Sequence, residues 1–232
     1  MKILSWNIWI DCHFEQMRDF LCASDADIIG LQEVKDDDPG RDVIGYLSGL
    51  GYQHVFARTG QEWEGKMYYH GPALFSRFPI VNSEIYVLEG ANERAAARID
   101  VEVDGKVFHV FSTHLTHTHQ KPSAKHEEET ARLIEKLPAE RVIVMGDFNA
   151  TPESASIQAM RGVLADTDPA SLPTWSMYPE GCEICSPKAV DMKLDYIFVS
   201  KDLKTHSFAV GTSSASDHLP ISVVVRDITL QV

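Results

Sequence analysis

The sequence predicts an α/β (α+β) fold in which two mixed sheets pack together and helices cover their outer faces. Three observations predict it: short apolar runs alternate with helix-like segments, a β-hairpin signal stands mid-chain, and several predicted strands are apolar throughout. No stretch rich in Gly, Ser or Pro is long enough to be a linker. We therefore expect a single domain over residues 1–232.

The first elements are indicated by apolar periodicity. Residues 2–8 and 27–34 are predicted strands, and a helix over residues 13–23 separates them because its apolar side chains share one face. Residues 41–50 predict a second helix, which Gly51 ends.

The hairpin follows at the centre of the chain. Residues 98–103 and 107–111 are predicted strands, joined by the turn dipeptide Asp104-Gly105. A helix over about residues 122–137 precedes a strand over 141–145. Thr151-Pro152 is expected to open the next helix, and residues 196–199 and 221–225 predict two late strands.

Two long segments, residues 58–71 and 172–193, carry no clear periodicity. Both contain aromatic side chains, including Trp63 and Trp175, and long loops on a rigid scaffold often bind substrate. We expect these loops to recognise the substrate. The alternative, in which the aromatic side chains only anchor the loops to the core, stays equally open.

Composition and charge narrow the function classes. The 34 acidic residues exceed the 21 basic ones, a formal net charge of −13, which disfavours binding along a nucleic-acid backbone. A small phosphoester or a nucleic-acid end stays compatible, because a bound cation reverses the local field. No apolar run is long enough for a membrane span and the first residues lack a secretion signal, so a cytoplasmic location is expected.

Polar residues that can bind metal or transfer protons recur where apolar strands end. They stand in the segments SWNI, LQEV, STHL, GDFNATP, LDYIFVS and SDHLP as Asn7, Glu33, His114, Asp147, Asn149, Asp195, Asp217 and His218. Each alone has an ordinary explanation as a cap, a turn or a surface charge. Together, beside apolar strands, they indicate a site that pairs them or holds a metal.

These segments, in this order, make the sequence resemble the endonuclease/exonuclease/phosphatase superfamily, which includes deoxyribonuclease I. The similarity runs from SWNI at residue 5 to SDHLP at residue 220 and includes GPALFSRFPI at residues 71–80. One departure is Pro72, where the family often has Asn; it concerns a strand start and leaves the subfamily in doubt. The resemblance implies a four-layered α/β/β/α sandwich with the site where the two sheets' edges meet.

The resemblance also implies a role for each residue in a metal-dependent phosphoester hydrolase. Glu33 would be the principal Mg²⁺ ligand, for which Mn²⁺ can substitute, and Asn7 and Asp217 would complete the metal and phosphate environment. Asp147, positioned with Asn149, would activate the attacking water. His218, held by Asp195, would stabilise charge on the phosphoryl oxygens, and His114 would donate a hydrogen bond or act as general acid.

Other signals leave alternatives open. Arg98 could contact substrate phosphate, although an exposed strand arginine explains it as well. Cys182 and Cys185 form a CxxC pattern that could be a redox pair or half of a zinc site, and reduced thiols are the expectation. His117 and His119, near His114, are expected to flank substrate or solvent, with a mixed metal requirement left open.

The leading functional hypothesis is a nuclease-like phosphodiesterase. Its close rival is a phosphomonoesterase acting on a sugar or inositol phosphate, which the acidic net charge favours. From another class, a non-catalytic binding module with the same fold would be expected to have lost Glu33, Asp147 or His218, and all three are present. The expected partner is a phosphoester, small or at a nucleic-acid end; no protein partner is evident.

Overall fold

The computed structural model describes residues 1–10, 12–63, 65–88 and 94–228, apart from the side chain of Trp63. Its helices are α1 (Phe14–Ser24), α2 (Val43–Gly49), α3 (Ala124–Ile134) and α4 (Ala155–Val163). Its strands are β1 (Lys2–Asn7), β2 (Ile28–Val34), β3 (Gln53–Phe56), β4 (Thr59–Trp63), β5 (Lys66–Ser76), β6 (Ile80–Val87), β7 (Ala95–Val103), β8 (Lys106–His114), β9 (Val142–Asp147), β10 (Ala165–Asp166), β11 (Asp195–Val199), β12 (Leu203–Val210) and β13 (Ile221–Asp227).

The first sheet has the strand order β12-β13-β1-β2-β5-β3, and β4 pairs with the other half of the long strand β5. β1 and β2 run parallel, so their carboxyl ends lie side by side, with Asn7 opposite Gln32. Polar groups at the ends of these two strands are therefore brought to the same edge.

The second sheet has the order β10-β11-β9-β8-β7-β6. β8 and β9 are parallel, with His114 opposite Asp147, and β11 runs antiparallel to β9, with Asp195 opposite Asp147. Because β11 starts where β9 ends, three ionisable side chains share one sheet edge.

Three apolar clusters define the layers. The central cluster joins the facing sides of the two sheets, for example Ile3 and Leu74 with Ile99 and Val110. A second cluster packs α1 and α2 on the first sheet, and a third packs α3 and α4 on the second. The predicted four-layered α/β/β/α sandwich is thus confirmed, and burial of these faces is the main stabilising contribution.

The helix ends show how local sequence sets boundaries. Helix α1 buries Met17 and Leu21, the face that its periodicity predicts. The predicted opening of the fourth helix at Thr151-Pro152 is wrong by one turn: the side chain of Ser154 accepts a hydrogen bond from the backbone N–H of Ile157, so α4 begins at Ala155.

The prediction that residues 58–71 form a long loop is also wrong. They belong to the antiparallel pair β4 and β5, whose register places Thr59 opposite His70 and Trp63 opposite Lys66. The first half of β5 is mostly exposed, so it lacks the apolar alternation that indicates a strand. Strands β3, β6 and β12 are likewise largely exposed and escaped prediction for the same reason.

Residues 172–193, by contrast, contain only a short 3-10 turn over Pro179–Gly181 and the isolated bridges of Trp175 with Met192 and with His218. Among the residues that the structure describes, no helix combines the length and apolarity needed to cross a membrane.

Candidate active site

The edges of the two sheets meet around a cavity of about 430 Å³. Most of the predicted site residues line it, namely Glu33, His114, Asp147, Asn149, Trp175, Asp217 and His218. Asn7 and Asp195 lie just beneath and contact those side chains. The cavity has the volume of a small-ligand site and is surrounded by ionisable groups.

Glu33 reaches the cavity through an irregularity in β2. The pairing of β2 with β5 shifts register between Leu31 and Val34, and Glu33 adopts a left-handed backbone conformation with φ of 61°. Such bulges re-aim side chains next to active sites, and a non-glycine residue in this region stores strain. The Glu33 side chain accepts hydrogen bonds from Asn7 Nδ2 at 3.1 Å and from the backbone N–H of Ile10 at 3.0 Å.

The backbone at the end of β9 explains the residue order GDFN. Gly146 has φ of 148°, and a Cβ there would lie 2.0 Å from the carbonyl oxygen of Thr113, so only glycine fits. Asp147 then points into the cavity while Phe148 fills the core. The backbone N–H of Asn149 donates to Asp147 Oδ1 at 2.8 Å and holds the carboxylate in place.

Asp147, Asp195 and His218 form a buried cluster whose ligand atoms all lie within 4.8 Å of one another. His218 Nδ1 donates to Asp195 Oδ2 at 2.9 Å, and its Nε2 lies 3.6 Å from Asp147 Oδ2. Burial alone would lower the pKa of His218, but the charges of Asp195, Asp147 and Asp217 outweigh it and raise that pKa well above its ordinary value. His218 is therefore a cation at neutral pH.

The pKa of Asp147 is also raised, but here burial is the main cause. Burial raises its pKa to about 7, with a further contribution from the charge of Asp195, against the lowering effects of His218 and the hydrogen bonds from Asn7 and Asn149. A carboxylate with a pKa near neutrality is a stronger base than an exposed one and can accept a proton from water.

Asn149 determines the proton positions of two histidines. Its Nδ2 donates to the carbonyl oxygen of Leu115 at 3.0 Å, which fixes the amide orientation because a carbonyl only accepts. The same Nδ2 lies 3.1 Å from His114 Nε2, which therefore accepts and leaves the ring proton on Nδ1. Burial, together with the charge of Arg94, holds the pKa of His114 well below its ordinary value, so this ring is neutral.

Asn7 is oriented as a donor. Its Nδ2 donates to Glu33 Oε1 and to Asp147 Oδ2, at 3.1 and 3.0 Å, while its Oδ1 accepts from the backbone N–H of Trp9. Asn7 Oδ1 thus accepts one backbone hydrogen bond, while its Nδ2 group holds the carboxylates of Glu33 and Asp147 in place.

Asp217 completes the acidic side of the cavity. Burial raises its pKa, the positive His218 opposes this shift, and the negative Glu33 adds to it. Trp175 Nε1 donates to Asp217 Oδ2 at 3.4 Å, and the Trp175 ring lies with its centroid 6.3 Å from that of His218. Glu33 and Asp217 line the same cavity and are close enough for the charge of Glu33 to raise the pKa of Asp217. Such a pair fits a hard divalent cation, which favours oxygen ligands and would offset their repulsion.

One predicted substrate contact, Arg98, is not placed at the cavity. Arg98 donates from Nε and Nη2 to the two oxygens of Asp100, at 2.9 and 3.1 Å, and does not line the cavity. This salt bridge, which His109 and Tyr86 extend, is structural. The side chain of Trp63 lies outside the described part of the structure.

Sequence reasoning missed the basic side of the cavity, which Arg94, His70 and Lys125 supply. Arg94 precedes the buried alanine run of β7 and is itself only 7% exposed. An arginine before an apolar strand resembles an ordinary surface charge, so the sequence offered only a weak signal. Arg94 is the arginine that faces the predicted site, in place of Arg98.

Comparisons with known proteins agree with this architecture. The sequence profile described as the endonuclease/exonuclease/phosphatase family matches residues 4–218. No individual curated relative matches the chain at a significant level of sequence similarity.

Solved structures share the fold at low identity. A Beutenbergia cavernae endonuclease/exonuclease/phosphatase is 21% identical with a TM-score of 0.81, covering 98% of this chain and 71% of that one. A Bacteroides thetaiotaomicron mannosyl-6-phosphatase is 19% identical with a TM-score of 0.69, covering 97% and 99%. The human nocturnin catalytic domain, solved with a sulfate anion, is 24% identical with a TM-score of 0.69, covering 98% and 94%.

The profile match extends from β1 to His218 and so includes the segments on which the resemblance rested, up to the SDH of SDHLP. The chain therefore belongs to the endonuclease/exonuclease/phosphatase family.

Proposed function

We propose that this protein is a Mg²⁺-dependent phosphoester hydrolase, with Mn²⁺ as a substitute ion, that uses an activated water. The observation that carries the proposal is the buried cluster of Asp147, Asp195 and His218 beneath a cavity that Glu33 and Asp217 also line. A base, a cation and a pair of hard metal ligands on one cavity are the groups that in-line attack on phosphorus needs.

Glu33 and Asp217 would hold the metal ion, and Asn7 would keep Glu33 oriented toward it. When bound, Mg²⁺ would polarise a phosphoryl oxygen and neutralise its charge. Two protein carboxylates are enough for Mg²⁺, because this ion keeps several of its waters when it binds to a protein.

Asp147 would take the proton from the attacking water. Both of its oxygens are held, Oδ1 by the backbone N–H of Asn149 and Oδ2 by Asn7 Nδ2, so the carboxylate meets the water in one orientation. Its raised pKa matches a base that works near neutral pH.

His218 and His114 would act on the phosphoryl oxygens from two sides. His218, protonated and oriented by Asp195, would stabilise the charge that develops as the leaving group departs. Neutral His114 would donate from Nδ1, a buried atom with no protein partner among the described residues.

Arg94 would bind a phosphoryl oxygen, which gives a prediction with a built-in control. Arg94→Met should lower kcat/KM about 10²-fold, because a charge-assisted hydrogen bond contributes roughly 1.5–3 kcal/mol. Arg98→Met, the same change at the arginine that pairs with Asp100, should leave kcat/KM unchanged but lower the free energy of unfolding by about 2 kcal/mol. Steady-state kinetics and urea denaturation measure both; equal kinetic losses in the two variants would contradict this role.

Two substrate classes stay in competition. Diester hydrolysis of a nuclease type is the first candidate, in keeping with the family. Hydrolysis of a small phosphomonoester is the second, and the cavity volume of about 430 Å³ and the net charge of −13 favour it. The similarity to a mannosyl-6-phosphatase supports including sugar phosphates among the compounds to test.

A substrate panel separates these candidates. We expect Mg²⁺-dependent turnover of at least one of bis-p-nitrophenyl phosphate, short single-stranded DNA, mannose 6-phosphate, an inositol phosphate and a 2′,3′-cyclic nucleotide, measured as nitrophenol, new DNA ends or released phosphate. Turnover of monoesters without any diester would remove the nuclease assignment. No turnover, together with no Mg²⁺ binding by isothermal titration calorimetry at millimolar concentration, would favour the non-catalytic module instead.

A further inference from the structure

A second cluster of side chains that are able to bind a metal ion lies beside the acidic site. Its ligand atoms are nitrogen and sulfur instead of oxygen. It consists of His117 and His119, in the loop after β8, and Cys182 and Cys185, in the segment 172–193. One ligand atom from each residue lies within 4.8 Å of the other three, and all four side chains are partly buried. Two segments distant in sequence thus bring two nitrogens and two sulfurs together.

The spacing of the ligand atoms suits a tetrahedral ion. His119 Nδ1 and His117 Nε2 lie 3.3 and 3.5 Å from Cys185 Sγ, and 3.1 Å from each other. Zinc bonds to imidazole and thiolate imply about 3.3 to 3.8 Å between ligand atoms at the corners of a tetrahedron. Three of the four ligand atoms are therefore nearly in place before any ion binds, and Cys182 Sγ lies within 4.8 Å of them.

The CxxC turn is shaped to support sulfur ligands. The backbone N–H of Cys185 donates to Cys182 Sγ at 3.4 Å, and the N–H of Ser186 donates to the carbonyl of Cys182 at 2.8 Å. This turn directs both sulfurs to one side, and the N–H bond would stabilise a thiolate at Cys182.

His117 already has the proton arrangement of a metal ligand. The amide of Asn149 is oriented by the Leu115 carbonyl, so its Oδ1 accepts from His117 Nδ1 at 2.7 Å. The ring proton of neutral His117 is therefore on Nδ1, and the lone pair of Nε2 points toward Cys185. Metal-binding histidines usually donate their other ring N–H to an oxygen in this way.

We propose that His117, His119, Cys182 and Cys185 bind one Zn²⁺ ion in a closed structural site, separate from the oxygen-lined Mg²⁺ site. A set of two thiolates and two imidazoles selects zinc over magnesium because soft ligands disfavour a hard cation. Four protein ligands leave no open position for substrate or water. Binding releases the two thiol protons to solvent and involves no change in oxidation state.

The ion would fasten the segment 172–193 onto the loop after β8. That segment carries Trp175, and His117, His119 and Cys182 themselves line the cavity, so zinc would fix one of its walls. Through His117, it would also hold Asn149, whose backbone N–H positions Asp147. These four residues are positioning residues and take no part in the reaction.

Metal analysis of the purified, untagged full chain tests the site. We expect about one zinc per chain after gel filtration without added metal. The content should fall to background in Cys182→Ser/Cys185→Ser and in His119→Ala, and stay at the parent level in Cys22→Ser, which removes an exposed thiol outside the cluster. A parent chain that lacks zinc and takes up none from zinc chloride would overturn the proposal, as would equal loss in Cys22→Ser.

Cobalt substitution gives a readout that depends on neither activity nor the stability of a variant. Refilling the parent chain with Co²⁺ should produce thiolate-to-metal charge-transfer absorption, which requires sulfur ligands. Glu33→Gln should keep this absorption, because Glu33 belongs to the other site. Loss of the band in Glu33→Gln, or a Cys182–Cys185 disulfide found by mass spectrometry in protein kept under reducing conditions, would contradict the proposal.

Discussion

Asp147→Asn is expected to lower kcat by about 10³-fold or more, with only a small change in KM. The substitution keeps the shape and the hydrogen bond from the Asn149 N–H but removes the group that would take the proton from water, and a general base contributes typically 10²- to 10⁴-fold. Single-turnover and steady-state rates with the substrate identified by the panel measure the effect.

In metal-free buffer, the stability of the same variant relative to the parent should increase with pH. The pKa of Asp147 rises from 3.8 to about 7 in the folded chain, so ionisation destabilises the fold as pH increases between these values. The amide lacks that penalty, and urea denaturation at pH 4 and pH 8 should show a parent-to-variant difference that grows with pH.

Asp227→Asn is the matched control for Asp147→Asn. Asp227 is also a buried carboxylate on a strand, but it pairs with Lys106 and does not line the cavity. The Asp227→Asn variant should have a lower free energy of unfolding than the parent and the same kcat. Full activity of Asp147→Asn, or equal kinetic losses in the two variants, would remove Asp147 from the mechanism.

Asp195→Asn is expected to lower kcat by about 10²- to 10⁴-fold and to move the alkaline limb of the pH–rate profile to lower pH. Asp195 is fully buried and is the main charge that raises the pKa of His218. Without this charge, His218 loses its proton at lower pH and no longer stabilises the phosphoryl oxygens. Rates measured from pH 5 to 10 follow the shift.

Thr174→Val is a milder companion to Asp195→Asn. Thr174 Oγ1 donates to Asp195 Oδ2 at 2.6 Å and accepts from the backbone N–H groups of Leu194 and Asp195. Its loss should disturb the carboxylate without removing its charge, so the rate should fall less and the alkaline limb should stay in place. An unshifted limb in Asp195→Asn would show that this carboxylate does not control His218.

Much of the fold was predictable from sequence patterns because these patterns reflect local interactions, namely apolar burial, turn formation and backbone sterics. Apolar periodicity placed α1 on its buried face, and the Asp104-Gly105 turn joined β7 to β8. The order GDFN reflects backbone sterics at Gly146 that only glycine satisfies. The exposed strands β3, β4, β6 and β12 had no such signal, since pairing with a neighbour, and not their own side-chain pattern, makes them strands.

Within the site, the residue types at the strand ends were readable from the sequence, and the resemblance supplied their proposed roles. Which basic groups face those residues depended on how the chain folds. Arg94 and Arg98 look alike in sequence, yet Arg94 lies just before β7 and lines the cavity, whereas Arg98 lies within β7 and binds Asp100 of the same strand.

The convergence of His117 and His119 with Cys182 and Cys185 was likewise a tertiary result. The CxxC pattern alone was compatible with a redox pair, half of a zinc site or two reduced thiols, because its partners lie in a distant segment. A spacing motif identifies only ligands that are close along the chain, whereas a metal site depends on distances of a few ångströms in space. Chain folding, which packs the segment 172–193 against the loop after β8, set those distances.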